Sequence, residues 1–144
     1  MKHTQHAGAT TVEFALVLLI FLMFTLGILD FARMLFTWNA AGEATRAGAR
    51  FAVVCDNTGY STAVRAKMQA LLPQIQTINV AWTPPSCGPT DCTGVTVSIT
   101  SLNYRWISPI PGMASRLIPM PTFSTFLTRE VMRADPNSAA ICAS

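Results

Sequence analysis

Histidine is nearly absent from this 144-residue chain: His3 and His6 are its two copies. Beyond them there is no imidazole to build a Ser–His or Cys–His pair, and no histidine to ligate a metal. Charge is scarce as well. Charged residues make up 12% of the chain, and the ten lysines and arginines are scattered, with no run that would trace a phosphate backbone. Nucleic acid is therefore not an expected partner. The acidic residues are as thin: Asp56, Asp91, Glu130 and Asp135 are the only ones past Glu43. They suggest no paired-carboxylate site, and no glycine-rich loop would cradle a phosphate. The expectation is a non-enzymatic chain without metal or other cofactor. Trp82 and Trp106 fall on strand faces assigned to the core, and Trp38 reads as an interface anchor beyond an apolar run.

What the chain does have is apolar surface. Hydrophobic residues make up 51%, with a mean hydropathy of +0.39, which favours a membrane-attached protein. The sixteen residues from Phe14 to Leu29 carry no charge. At about 1.5 Å per residue they make roughly 24 Å of helix, a little short of a bilayer core of about 30 Å. No polar pattern marks a solvated face, and the mostly apolar stretch continues past Asp30. A membrane helix covering about 12–30 is expected. A cleaved secretory signal fits less well, because the nearest small-residue site, Asn39-Ala40-Ala41, lies well past the apolar block. Lys2 and the two histidines precede the span without an acidic residue, so the positive-inside tendency places the N-terminus in the cytoplasm and the bulk of the chain outside the inner membrane.

The helix is expected to run on through the stretch from Phe31 to Val54, which lacks proline. Asp30 with Arg33 and Glu43 with Arg46 fall at i,i+3. Ala40, Ala44, Gly48 and Ala52 recur every fourth residue, a stripe that lets another backbone approach closely. It would serve either to dock the helix on its own head or to contact another subunit. A turn at Cys55–Gly59 ends this helix. A second, amphipathic helix follows from Ser61 or Thr62, with Val64, Met68, Leu71, Leu72 and Ile75 inward, and Pro73 closes it. Ile78, Val80 and Trp82 alternate as in a strand, as do Val95, Val97 and Ile99. The apolar parity then shifts to Leu102, Tyr104 and Trp106, predicting a bulge near Thr100–Ser101 or two short strands. Four prolines make Ser108 to Thr122 mostly irregular, and Phe123 to Arg133 reads as a weaker last strand. The class is α+β: a long transmembrane stalk helix (9–54) and a small antiparallel-sheet head with one packing helix (55–144).

Four cysteines, Cys55, Cys87, Cys92 and Cys142, lie on the outer side. An even count in an oxidising compartment reads as disulfides, with three pairings allowed. Cys87 with Cys92 is the easiest to close, which leaves Cys55 with Cys142. A four-thiolate zinc site would require two-residue-spaced pairs, which are absent.

One residue conflicts with the apolar block. Glu13 sits at the cytoplasmic end of the span, and a carboxylate at bilayer depth costs several kcal/mol unless partnered. Cleavage after Gly8 would create an α-amino group on Ala9 and make Glu13 the fifth residue. Ammonium and carboxylate on neighbouring subunits could then neutralise each other. The plain alternative is an uncleaved signal anchor, carrying a periplasmic binding or structural module, with a chance glycine and an interfacial glutamate. The arrangement of Gly8, Glu13-Phe14 and the apolar run resembles the prepilin-peptidase site of type IV pilins and pseudopilins.

The stretch from Gly8 to Ala52 resembles, more narrowly, the N-terminal region of TadE-like proteins, minor pilins or pseudopilins of the Flp (tight adherence, Tad) pilus system. The likeness rests on the glycine, the Val-Glu-Phe start, Gly-Ile-Leu-Asp-Phe-Ala-Arg at the end of the span, and Asn-Ala-Ala followed by Ala-x-Arg-Ala-Gly-Ala-Arg. It implies a leader of residues 1–8 removed by a prepilin peptidase, with Glu13 and Phe14 setting subunit registration. It further implies a single-pass inner-membrane protein whose partners are other pilin subunits and the assembly platform, acting in adherence or biofilm formation. Major Flp pilins are typically much shorter and carry Glu-Tyr where this chain has Glu13-Phe14, so the likeness is to a minor component. TadG-like proteins carry a large further domain for which this chain has no room; TadF-like proteins remain an alternative.

Overall fold

A computed structural model of the chain describes residues 7–55, 61–87, 91–109, 112, 116–129 and 142. Its first element, α1 (Ala7–Val54), is one uninterrupted helix of 48 residues. It holds no proline, and two of its threonines bond back to carbonyls of the preceding turn. Thr25 Oγ1 donates to the Phe21 carbonyl at 2.8 Å, and Thr45 Oγ1 to that of Gly42 at 2.8 Å. Then come α2 (Ser61–Leu71), β1 (Ile78–Thr83), β2 (Gly94–Ile99), β3 (Asn103–Arg105), β4 (Leu117–Pro119) and β5 (Phe123–Thr128). The chain divides into two compact units, one of 1–35 with 105–118, the other of 36–104 with 119–144.

In the larger unit, β1, β2 and β5 form an antiparallel sheet with β2 in the middle. Register stacks three rungs on one face: Ile78–Ile99–Phe123, Val80–Val97–Thr125 and Trp82–Val95–Leu127. Directly opposed residues share a face, so alternating apolar residues on three strands make one continuous surface. Val95, Val97 and Ile99 on the central strand are fully buried. The second half of α1 lies along β5, with Trp38 edge-on to Phe123 (ring centroids 5.1 Å, 81°) and Thr45 Oγ1 2.9 Å from Thr125 Oγ1. Ala41, Ala44, Ala49, Ala52 and Val53 of α1 join Val64 and Met68 of α2, and Leu72 and Ile75 beyond it, in the same core.

Two glycines stand where a side chain would have no room. A Cβ on Gly48 would stand 2.7 Å from Met68 Sδ and 3.3 Å from Val64 Cγ1, which is how α2 seats against α1. One on Gly94 would meet Phe126 Cζ at 2.6 Å and the Leu127 carbonyl at 2.8 Å. Phe126 covers the outer face of the sheet there.

The parity shift after Ile99 resolves as two separate strands. β2 ends, and β3 pairs instead with β4 in a second, two-stranded sheet. Tyr104 is buried in β3, as are Leu102 and Trp106 on either side of it, while Asn103 and Arg105 face out. The described residues of 108–122 are irregular apart from β4, a three-residue strand that ends on Pro119, which has no N–H to donate. Leu71 is a correction. Val64, Met68 and Leu72 take the inward positions at i, i+4 and i+8, and Leu71 is left 52% exposed. The expected turn at 56–59 and the strand residues 130–133 lie outside the described residues.

Candidate membrane and assembly helix

Residues 8–22 of α1 are exposed without exception. Val12, Phe14, Val17, Phe21 and Phe24 are each more than 60% exposed, although they are among the most apolar side chains in the chain. Among the described residues α1 alone is long and apolar enough to cross a membrane, and no residue of its most apolar window is buried within the chain. A soluble core helix would be covered by its own domain; this one is bare, which is the surface a lipid or another helix must take up. Gly8 and Ala9 lie in the first turns of α1, exposed, with nothing within 4 Å of where a Gly8 Cβ would be. Glu13, also exposed, has no hydrogen bond or ion pair among the described residues. Residues 1–6 of the expected leader lie outside them.

From Met23 onward one edge of α1 is covered. Met23, Gly27, Asp30, Met34 and Thr37 follow one another at three- and four-residue steps and are half-buried or buried, while Phe31, Leu35 and Phe36 between them stay exposed. Asp30 is the most enclosed of the five, at 3% exposure. Its Oδ2 accepts the backbone N–H of Ile107 at 3.2 Å and that of Ser108, and its Oδ1 lies 3.5 Å from Arg33 Nη1. Two backbone amides and a guanidinium thus surround a carboxylate set in an apolar helix, where a bare one is costly. Nearby Trp106 Nε1 and Ser108 Oγ are buried without a hydrogen-bond partner among the described residues.

The small-residue stripe faces the chain's own head. Ala44 and Ala52 are fully buried, Gly48 is closed over by Met68 and Val64, and Ala40 is half-buried. Both cysteine pairs are joined: Cys55 to Cys142 with Cα atoms 5.4 Å apart, and Cys87 to Cys92 at 5.2 Å. The first ties the end of α1 to a residue near the C-terminus. The second closes the loop between β1 and β2, where Thr93 N–H also bonds the Thr83 carbonyl at 2.8 Å. Among the described residues, no three histidine, cysteine or acidic side chains gather as a metal site.

Three contacts escaped the sequence reading. Asp30 was visible only as the i,i+3 partner of Arg33; an acid at the end of an apolar run was the available signal that more must hold it. Arg129, just after β5, is buried with its guanidinium over the Trp82 ring at 5.9 Å. Thr45 and Thr125 pair 80 positions apart, and nothing local announces them.

Among the described residues these features define one candidate membrane helix, followed by a region closed by two disulfides. Residues 8–50 match the family model described as TadE-like protein. The match covers less than a third of the chain and falls wholly within α1, so the head lies outside the likeness. Neither the curated proteins nor the solved structures yield a match to this chain.

Proposed function

We propose that this chain is a TadE-like minor pilin or pseudopilin that serves assembly of a Flp (Tad) pilus, without catalysis of its own. A prepilin peptidase removes residues 1–8 on the cytoplasmic side. The bared helix from Ala9 is held in the inner membrane and then packs against the helices of other pilin subunits. The head stands in the periplasm, where an oxidising environment suits its two disulfides, and the assembly platform is a further partner. One observation carries this reading: the segment similar to TadE-like proteins takes in the stretch of α1, residues 8–22, whose apolar surface the chain leaves wholly uncovered.

Glu13 supports the same reading. Its carboxylate has no partner among the described residues, and the α-amino group of Ala9 on a neighbouring subunit would supply one. A Glu13→Ala variant, expressed beside the matching peptidase, is expected to be trimmed normally and to leave cells without pili. Normal piliation by that variant contradicts the registration role. A leader kept intact beside an active peptidase favours the uncleaved, signal-anchored module.

A further inference from the structure

We propose that the exposed face bearing Ile107 and Leu117 is a second membrane contact, lying against the outer leaflet of the bilayer beside α1. The proposal rests on reading α1 as a membrane anchor, and it concerns a face of the chain that this reading leaves unexplained.

Depth comes first. A bilayer core needs about 20 helical residues, and the uncharged run supplies sixteen, from Phe14 to Leu29. Counted from Phe14, the span ends near Arg33, so Asp30 falls inside its outer edge. An uncovered carboxylate there is expensive, but Asp30 is covered by the backbone of Ile107 and Ser108. Whatever covers Asp30 sits at the same depth.

Backbone accounting comes second. Backbone near lipid must have its polar groups satisfied within the protein, and an N–H without an acceptor is costly there. The Trp106 N–H bonds the Arg116 carbonyl at 3.1 Å, those of Ile107 and Ser108 bond Asp30, and Pro109 has none. The backbone N–H groups across these four positions are thus all satisfied within the chain.

The outward face comes third. Alternation turns Trp106 and Ser108 inward and Arg105 and Ile107 outward. Ile107 is 61% exposed, and Leu117, next to the paired Arg116, is 60% exposed. Both belong to the same compact unit as the bare stretch of α1. Arg105 and Arg116 are exposed beside them, placed to reach anionic headgroups while their stems cover apolar surface. Two aliphatic side chains flanked by two arginines, continuous with a membrane helix, fit a lipid surface better than water.

The test places the photocrosslinker p-benzoylphenylalanine singly at Leu117, Ile107, Phe21 or Arg65 of the full chain, reconstituted in vesicles of phosphatidylethanolamine and phosphatidylglycerol. All four are exposed positions, and the two at the proposed contact back each other up. Phe21 reports the anchor itself, and Arg65, exposed on α2, gives the background. Lipid adducts are expected at Phe21 and, at Leu117 and Ile107, in about tenfold excess over Arg65, the order of the partition ratio for one buried aliphatic side chain. Adducts at Phe21 with only background at both Leu117 and Ile107 overturn the proposal and leave the anchor standing. Protein adducts there in place of lipid ones assign the face to a second copy and likewise overturn it. Background at Phe21 refutes the anchor, and the proposal with it.

Discussion

Ser108 donates its backbone N–H to the carboxylate of Asp30 across 78 positions of sequence. The bond fastens the stretch after β3 to the middle of α1, and the Ile107 N–H on the same oxygen doubles it.

Loss of that carboxylate leaves two covered N–H groups without an acceptor, at roughly 1–3 kcal/mol for each. Asp30→Ala is therefore expected to lower stability by about 2–6 kcal/mol on the same basis. The loss reads out as an earlier near-ultraviolet circular dichroism transition and faster amide exchange at Ile107 and Ser108. Arg33→Ala, which removes a half-exposed partner at 3.5 Å, is expected to change stability by less than about 0.5 kcal/mol. Equal effects of the two would mean that the amides contribute nothing.

Gly48 and Gly42 lie six residues apart on one helix and should respond in opposite directions to alanine. At Gly48 the new methyl collides with Met68, and the resulting repacking is expected to cost about 1–3 kcal/mol. At Gly42 nothing lies within 4 Å, so alanine is expected to stabilise by about 0.5–1 kcal/mol through helix propensity alone. Thermal unfolding of the two variants decides the matter; a stabilised Gly48→Ala would show that α2 does not seat on that face.

The two disulfides differ in the loops they close. In the chain-entropy model the 87-residue separation of Cys55 and Cys142 corresponds to about 4–5 kcal/mol, and the five-residue separation of Cys87 and Cys92 to about 2 kcal/mol. The double variant Cys55→Ser/Cys142→Ser is thus expected to melt well below Cys87→Ser/Cys92→Ser, with intact mass under non-reducing conditions showing the remaining bridge in each. The reverse order would place the stabilisation in local strain relief and not in chain entropy.

Periodic features were legible in the sequence because they are local. An uncharged run without proline specifies α1, four-residue spacing of Val64, Met68 and Leu72 specifies α2, and alternation around Val80, Val97 and Leu127 specifies the sheet strands. The parity shift between Ile99 and Leu102 was readable too, although only the structure chooses two strands over a bulge. Long-range pairings left no such trace. Nothing adjacent to Asp30 points to Ile107, nor anything beside Thr45 to Thr125, because loop closure and not spacing brings them together. β4 was hidden for the opposite reason: its composition, Leu-Ile-Pro among further prolines, argues against a strand until β3 offers it an edge.

The most direct measurement of the central claim is the intact mass of the membrane-extracted chain, made with and without an active prepilin peptidase. The account predicts loss of residues 1–8 and a new N-terminus at Ala9 only when the peptidase is present. An unchanged mass beside the active peptidase, with the chain still held in the membrane, would contradict it.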